Sequence, residues 1–223
     1  MKTNSIEQIL QELKIVPVDY AAAKKQAKVL DDLLGYECDP IEDVLFEANH
    51  ETLFSSPRQF WYGLDLQTLQ TPYSEIVEMV QHLKPQPEEL WLDLGAGYGR
   101  MGIVLASLCS QIKFVGYEYV QKRVDEGNRI FKKWNFFFAR MKQADLAAPD
   151  FELEPADLYF LYDFGSKDDV YKIIKKLQDL ALKKPIRVVA RGRGVRNWIL
   201  MDFPWLYDIN PPEHFANWTV FRS

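Results

Sequence analysis

The chain is poor in the residues that build metal and disulfide frameworks. Its two cysteines, Cys38 and Cys109, stand far apart and in no ligand spacing. The expectation is a protein of a reducing cytoplasm. Three histidines, His50, His82 and His214, are scattered, so no metal site is expected. No apolar run approaches the roughly 18 residues of a membrane helix. The opening MKTNSIEQILQELK carries dispersed charges and no apolar core, so neither a membrane partner nor a signal peptide is expected. Basic charge is not in excess either. A net charge of -5 lowers the expectation of a nucleic-acid partner, whose phosphates call for a basic surface. Apolar residues are plentiful: among 223 residues, 48% are hydrophobic and 14% aromatic. That is enough to fill one α/β domain with a small appendage, and too much for a disordered chain.

The first part of the chain reads as helical. Ile6, Ile9, Leu10 and Leu13 recur at helical spacing. A second helix is predicted over Asp19 to Leu34, closed by Gly35, and a third over Ile41 to Ala48. An aromatic connector follows, with Phe54, Phe60, Trp61 and Tyr62 before Gly63. Thr71 and Pro72 then read as N-cap and first residue of a helix carrying Ile76, Val77, Val80 and Leu83, ending near Pro85. We divide the chain into a helical extension or cap (1–62) and a ligand-binding α/β domain (63–223).

From Leu90 the pattern alternates. Strands are predicted over Leu90–Leu94, Phe114–Glu118, Phe136–Lys142, Leu158–Asp163 and Ile186–Ala190. Helices are predicted over Arg100–Leu108, Val124–Trp134 and Val170–Leu182. Two further strand-like runs, Trp205–Ile209 and Asn217–Phe221, close the chain. This is a parallel βαβ series ending in an antiparallel hairpin, hence a Rossmann-like α/β fold.

The segment Leu90-Trp91-Leu92-Asp93-Leu94-Gly95-Ala96-Gly97-Tyr98-Gly99-Arg100 carries the chemistry. A strand feeds a glycine turn that opens a helix, an arrangement that brings bare backbone to a nucleotide-like ligand. The spacing is G-x-G-x-G. The third glycine of a dinucleotide fingerprint would stand where Arg100 does. Asp93 would repel a pyrophosphate but attract an ammonium. S-adenosylmethionine has an ammonium, a sulfonium and no phosphate. Glu118, at the end of the second strand, can accept two hydrogen bonds from a ribose diol. Tyr119 can lie against an adenine face, and Asp145 can accept from the adenine amino group beside the Leu146 N–H. Taken singly, a solvated strand end (Glu118) or a turn cap (Asp145) is the ordinary reading; the ordered series favours a ligand site.

With these residues the sequence resembles the class I, seven-strand S-adenosylmethionine-dependent methyltransferases. LDLGAGYGRMG is similar to their first motif, VGYEY to the acidic segment after it, and QADL to the adenine-contacting one. The resemblance covers about residues 70–223 and implies a reversed final hairpin. It implies that Asp93, Gly95, Ala96, Gly97 and Gly99 hold the methionine end, Glu118 the ribose and Asp145 the adenine. A narrower resemblance, carried by TPYSEIVEMVQHL before LWLDLGAGYGR, is to non-SET protein lysine methyltransferases. The histone-type members carry an asparagine near the position of Asp163. This resemblance implies a protein side chain such as lysine as acceptor, with Tyr162 and Phe164 lining an apolar channel that disfavours the ammonium. Asp163 would orient the acceptor or take its proton, and Tyr73 would approach the same mouth. A small-molecule acceptor, an RNA acceptor and a non-catalytic binding module stay open, as does the oligomeric state. Two features stand apart. Asn210-Pro211-Pro212 resembles the signature of amino-group DNA methyltransferases but lies between the last two predicted strands, where a hairpin connection is expected. Arg191, Arg193 and Arg196 form a basic cluster that reads as a solvated loop or a phosphate grip.

Overall fold

The computed structural model describes residues 5–49, 66–162 and 164–223. The aromatic connector, the domain boundary at 62/63 and Asp163 lie outside the described residues. Ahead of the sheet run α1 (Ile6–Leu13), α2 (Tyr20–Leu34), α3 (Cys38–Asn49), α4 (Leu66–Leu69) and α5 (Tyr73–Leu83). There follow β1 (Leu90–Leu94), α6 (Arg100–Leu108), β2 (Lys113–Glu118), α7 (Gln121–Lys133), β3 (Ala139–Gln143), β4 (Leu158–Leu161), α8 (Lys167–Ala181), β5 (Arg187–Arg191), α9 (Arg193–Asp202), β6 (Glu213–His214) and β7 (Trp218–Arg222).

The strands form a seven-stranded sheet in the order β3-β2-β1-β4-β5-β7-β6. β1 to β5 are parallel, and β7 runs antiparallel to both β5 and β6. The Rossmann-like sheet with a reversed end is thus as expected. Strand order reverses between β1 and β4, and in such sheets ligands bind outside the carboxyl ends of the strands at that point. Asp93 stands there, in register with Gly116 of β2 and Phe160 of β4.

Central parallel strands are covered on both faces, which is why LWLDL and LYFL read as near-continuous apolar runs. One face buries Trp91, Phe114, Phe160 and Val189 under α5, α6 and α7, and Ile9, Leu13, Ala27, Leu30 and Leu34 of α1 and α2 join the same core. The other face buries Leu92, Val115, Tyr159 and Val188 under Ile173 and Leu177 of α8 and Ile199 of α9. Local signals set the ends of these helices. Ser5 and Gln8 form a capping box at α1, and Ser166 and Asp169 another at α8. Asp19 caps α2, whose last residue is followed by Gly35 in the left-handed region.

Several boundaries differ from the sequence expectations. Pro72, not Thr71, occupies the cap of α5, with no side-chain hydrogen bond. The strand predicted over Trp205–Ile209 is absent: Pro204 opens a short 3-10 turn, Pro204–Leu206, and Leu206 is the residue it buries. The expected basic loop is α9. Its apolar stripe, Val195 and Ile199, is short and hidden between Gly192 and three arginines. Asn210-Pro211-Pro212 leads into β6 rather than joining the last two strands. No helix of the described residues is long and apolar enough to cross a membrane.

The N-terminal helices are bonded to the sheet domain through buried charge. Asp31 of α2, 5% exposed, accepts from Arg100 Nε and Nη2, from the Tyr73 hydroxyl at 2.8 Å and from Gln67 Nε2 at 2.9 Å. Glu42 of α3 accepts from the Tyr98 hydroxyl at 2.8 Å and from Arg123 Nε and Nη2 at 2.8 and 2.9 Å. Lys133 Nζ and Trp134 Nε1 donate to the Leu34 carbonyl at 2.9 and 3.0 Å, satisfying an orphan acceptor at the end of α2. Removing one partner of a buried pair leaves the other charge unpaired. Asp31→Ala is therefore expected to lower unfolding free energy by about 3–5 kcal/mol. By contrast Lys28→Ala, which breaks the exposed Lys28–Asp32 pair, should cost no more than about 0.5 kcal/mol. Urea unfolding of both variants checks this, and equal losses would contradict it.

Candidate functional site

The site is built around the turn from β1 to α6. Gly95, Gly97 and Gly99 all have positive φ, at 93°, 56° and 83°. The Gly95 and Ala96 N–H groups both donate to the Tyr117 carbonyl at 2.9 Å, which ties the turn to the end of β2. A Cβ on Gly95 would lie 2.7 Å from the Phe164 Cβ. Phe164, after β4, therefore sits directly over the turn. Gly99 has a different role from the one expected. A Cβ there would lie 2.9 Å from both Met141 Sδ and Phe131 Cζ. It faces the core, and its need is for close helix–sheet packing and a left-handed N-cap, not for room beside a ligand.

Glu118 forms one wall. One carboxylate oxygen accepts from the Gly97 N–H at 3.0 Å and the other from the Val120 N–H at 3.0 Å. Arg123 Nη1 stands 3.7 Å away. Burial raises the Glu118 pKa, opposed by Arg123 and the two N–H groups. Each oxygen keeps a lone pair for a further donor. The Ala144 N–H donates to the Glu118 carbonyl at 2.9 Å, so the segment that carries Asp145 follows directly from Glu118. Asp145 accepts from the Ala147 N–H at 3.0 Å, the geometry of a turn cap. The Leu146 side chain is buried in the core under α8. Tyr119 is 41% exposed beside these groups, its carbonyl accepting from Gln143 Nε2 at 3.3 Å.

Asp93 differs from every other carboxylate of the site. Its side chain takes no hydrogen bond or ion pair among the described residues. Burial, and secondarily the charge of Glu118, push its pKa up to about 7. A half-buried acid with no donor among the described residues, next to a second acid, favours a cation.

Of the candidate acceptor-side residues, Tyr162 and Phe164 are brought to the carboxyl edge of the sheet. The Arg191 guanidinium lies over the Tyr162 ring at 4.6 Å. Tyr73 is not at the mouth: it is 0% exposed and its hydroxyl is committed to Asp31. Its aromatic face supports Arg100 at 4.9 Å, and its role is structural. Nor does the basic cluster form a phosphate grip. Arg191 is paired with Glu75, with Nε 2.5 Å from Oε1. Arg196 donates to Thr219, Ala216 and Phe215. Only Arg193 is exposed. Asp31, Glu42 and Glu75 were missed by sequence reasoning. For Asp31 a signal existed: it shares the helical stripe of Ala23, Ala27, Leu30 and Leu34, and a carboxylate on an apolar face asks for a buried partner. Among the described residues no cluster of metal-ligating side chains occurs.

Because the unfolded chain ionises Asp93 at its ordinary pKa, the folded state loses stability as pH rises from about 4 to about 7 and is level above that. Asp93→Asn removes this loss. It is expected to match wild type near pH 4 and to be more stable by on the order of 2–4 kcal/mol at pH 8. Thermal melts across that range check the sign, and a destabilised variant at pH 8 would show that Asp93 is already satisfied.

No family model matches the sequence, and no curated protein matches it. Among solved structures it is similar to precorrin-6y C5,15-methyltransferase from Geobacter metallireducens GS-15, with a TM-score of 0.51 and 14% identity over 71% of this chain and 91% of that one. It is also similar to an RNA methyltransferase from Salinibacter ruber in complex with S-adenosyl-L-homocysteine, with a TM-score of 0.48 and 19% identity over 69% and 91% of the two chains. The likeness is one of fold. The chain has the seven-strand, Rossmann-like architecture of the Geobacter metallireducens methyltransferase.

Proposed function

We propose that the chain is an S-adenosylmethionine-dependent methyltransferase. The observation that carries the reading is Asp93, a half-buried carboxylate with no donor among the described residues, beside a turn of positive-φ glycines and a second carboxylate, Glu118. These residues fit a cationic nucleoside without phosphate. A pyrophosphate would bring two further negative charges against Asp93 and Glu118. The fold it shares with a methyltransferase agrees with this.

When bound, such a cofactor supplies a methyl group activated by a positive sulfur. The chain's own residues bind, orient and exclude water. Asp93 holds the ammonium, and Glu118 accepts from the ribose diol. Tyr119, Asp145 and the Leu146 backbone border the adenine. Phe164 covers the turn at Gly95, and Tyr162 forms the wall beyond it, so the acceptor meets the methyl carbon with little water around it. Asp163, next in the chain after Tyr162, keeps its proposed role of orienting the acceptor or taking its proton. A lysine acceptor is not favoured. The guanidinium over Tyr162 fills the face on which an apolar channel for an ammonium would depend. An RNA acceptor is not favoured by this loop, since Arg191 is paired with Glu75, Arg196 is spent inside the fold, and of the three arginines Arg193 alone is exposed.

Calorimetry with S-adenosylhomocysteine tests the reading. Wild type is expected to bind it and to ignore NAD. Affinity should rise on the order of tenfold between about pH 5.5 and about pH 7.5 as Asp93 ionises, and Asp93→Asn should be weak and flat across that range. Gly95→Ala, which drives a methyl group into Phe164, should also weaken binding. Uptake of NAD in place of the nucleoside would defeat the proposal.

A further inference from the structure

Beside the glycine turn, between α2 and the carboxyl edge of β4 and β5, lies a second group of polar side chains that the cofactor reading does not use. Lys24 of α2 donates to the Gln70 carbonyl at 2.7 Å. The Gln70 side chain in turn reaches to 3.6 Å from where a Cβ on Gly97 would be. Lys24 Nζ is 5.1 Å from the centre of the Tyr20 ring. The Tyr20 hydroxyl is 3.5 Å from Arg191 Nη2. Lys24, Tyr20 and Arg191 therefore stand in a row along the rim of the site, and Tyr162 lies under the last of them.

Among the described residues the charges of this row are not balanced. Arg191 is 6% exposed, and its Nε and Nη2 face Glu75. Its Nη1 donates to nothing among the described residues, and neither does the Tyr162 hydroxyl. Glu75 also accepts from Asn217 Nδ2 at 3.1 Å. Lys24 has no carboxylate in ion-pair range among the described residues. Partial burial, with Arg100 and Arg191 nearby, lowers its pKa, opposed by the Tyr20 hydroxyl. Arg100 is neutralised by Asp31. Among the described residues, Arg191 has one acid, Glu75, and Lys24 has none, and two N–H groups of the guanidinium and the Tyr162 hydroxyl stand without an acceptor beside them. Unpaired donors of this kind, held rigid at a partly dry site, suit one planar monoanion. A chain of phosphates would need exposed basic residues in series, and of the three arginines after β5 only Arg193 is exposed.

We infer that Lys24, the free edge of Arg191 and the Tyr162 hydroxyl form a subsite for the carboxylate of the methyl acceptor, which is a small organic acid. The inference rests on the methyl-transfer reading and specifies its substrate class. The flanking rings of Tyr20 and Tyr162 make benzoate a suitable probe, and benzamide its uncharged counterpart. With the protein saturated in S-adenosylhomocysteine, benzoate is expected to bind about tenfold more tightly than benzamide, the difference one charge-assisted contact makes. Lys24→Met should abolish that preference. Tyr162→Phe, which keeps the ring beneath Arg191, should reduce it in part. Equal binding of the two probes, or no binding of either, overturns the inference while S-adenosylhomocysteine binding still stands. Should Lys24→Met instead weaken S-adenosylhomocysteine itself, the charge belongs to the amino-acid end of that nucleoside and the acceptor subsite is refuted. Failure of wild type to bind S-adenosylhomocysteine overturns both readings together.

Discussion

The organisation of this protein follows from one electrostatic imbalance, a half-buried carboxylate at the end of the central strand that has no donor among the described residues. Asp93 is placed there by β1, whose register puts it between Gly116 and Phe160 at the point where strand order reverses. A fold does not keep such a group for stability, since a desolvated acid beside another acid costs free energy. The neighbouring backbone is shaped to the same end. The turn after Asp93 hangs from the Tyr117 carbonyl, and Glu118 grips it from the side through Gly97. A cation beside this turn would meet two acids, Asp93 and Glu118, in partly buried surroundings, which strengthens its attraction to both.

The second level of order lies outside the sheet. Tyr98 and Arg100, on either side of Gly99, are held by Glu42 and Asp31 from the N-terminal helices. Arg123 is shared between Glu42 and Glu118, so the wall of the site and α3 are joined through one guanidinium. Pairs of this kind contribute little net stability, but they hold geometry, because every alternative leaves a charge stranded. The glycine turn is thereby fixed from two directions.

Much of this was legible in the sequence. The five parallel strands, the glycine turn and the carboxylates Asp93 and Glu118 announced themselves by apolar runs and position. The start of α6 at Arg100 was marked by the glycines before it. What stayed hidden depends on contacts between distant segments. Tyr73 sits at the start of α5, and only the structure shows its hydroxyl turned inward to Asp31. Arg191 read as part of a loop because its partner, Glu75, is far away in the chain. α9 was masked by glycine and arginine, which dilute its stripe. The strand predicted over Trp205–Ile209 failed because alternation of apolar and polar residues does not distinguish a strand from a tight turn that buries Leu206.

The shared core of α1 and α2 with the helices of the sheet bears on what counts as a folding unit here. A shortened chain beginning at α5 would keep every strand and the whole glycine turn. It would also open the core that α1 and α2 share with the sheet helices, and it would take Asp31 from Arg100 and Glu42 from Arg123, which would keep Glu118 alone. The smallest autonomous piece of this protein is thus larger than its sheet, and the leading helices are as much a part of it as the strands.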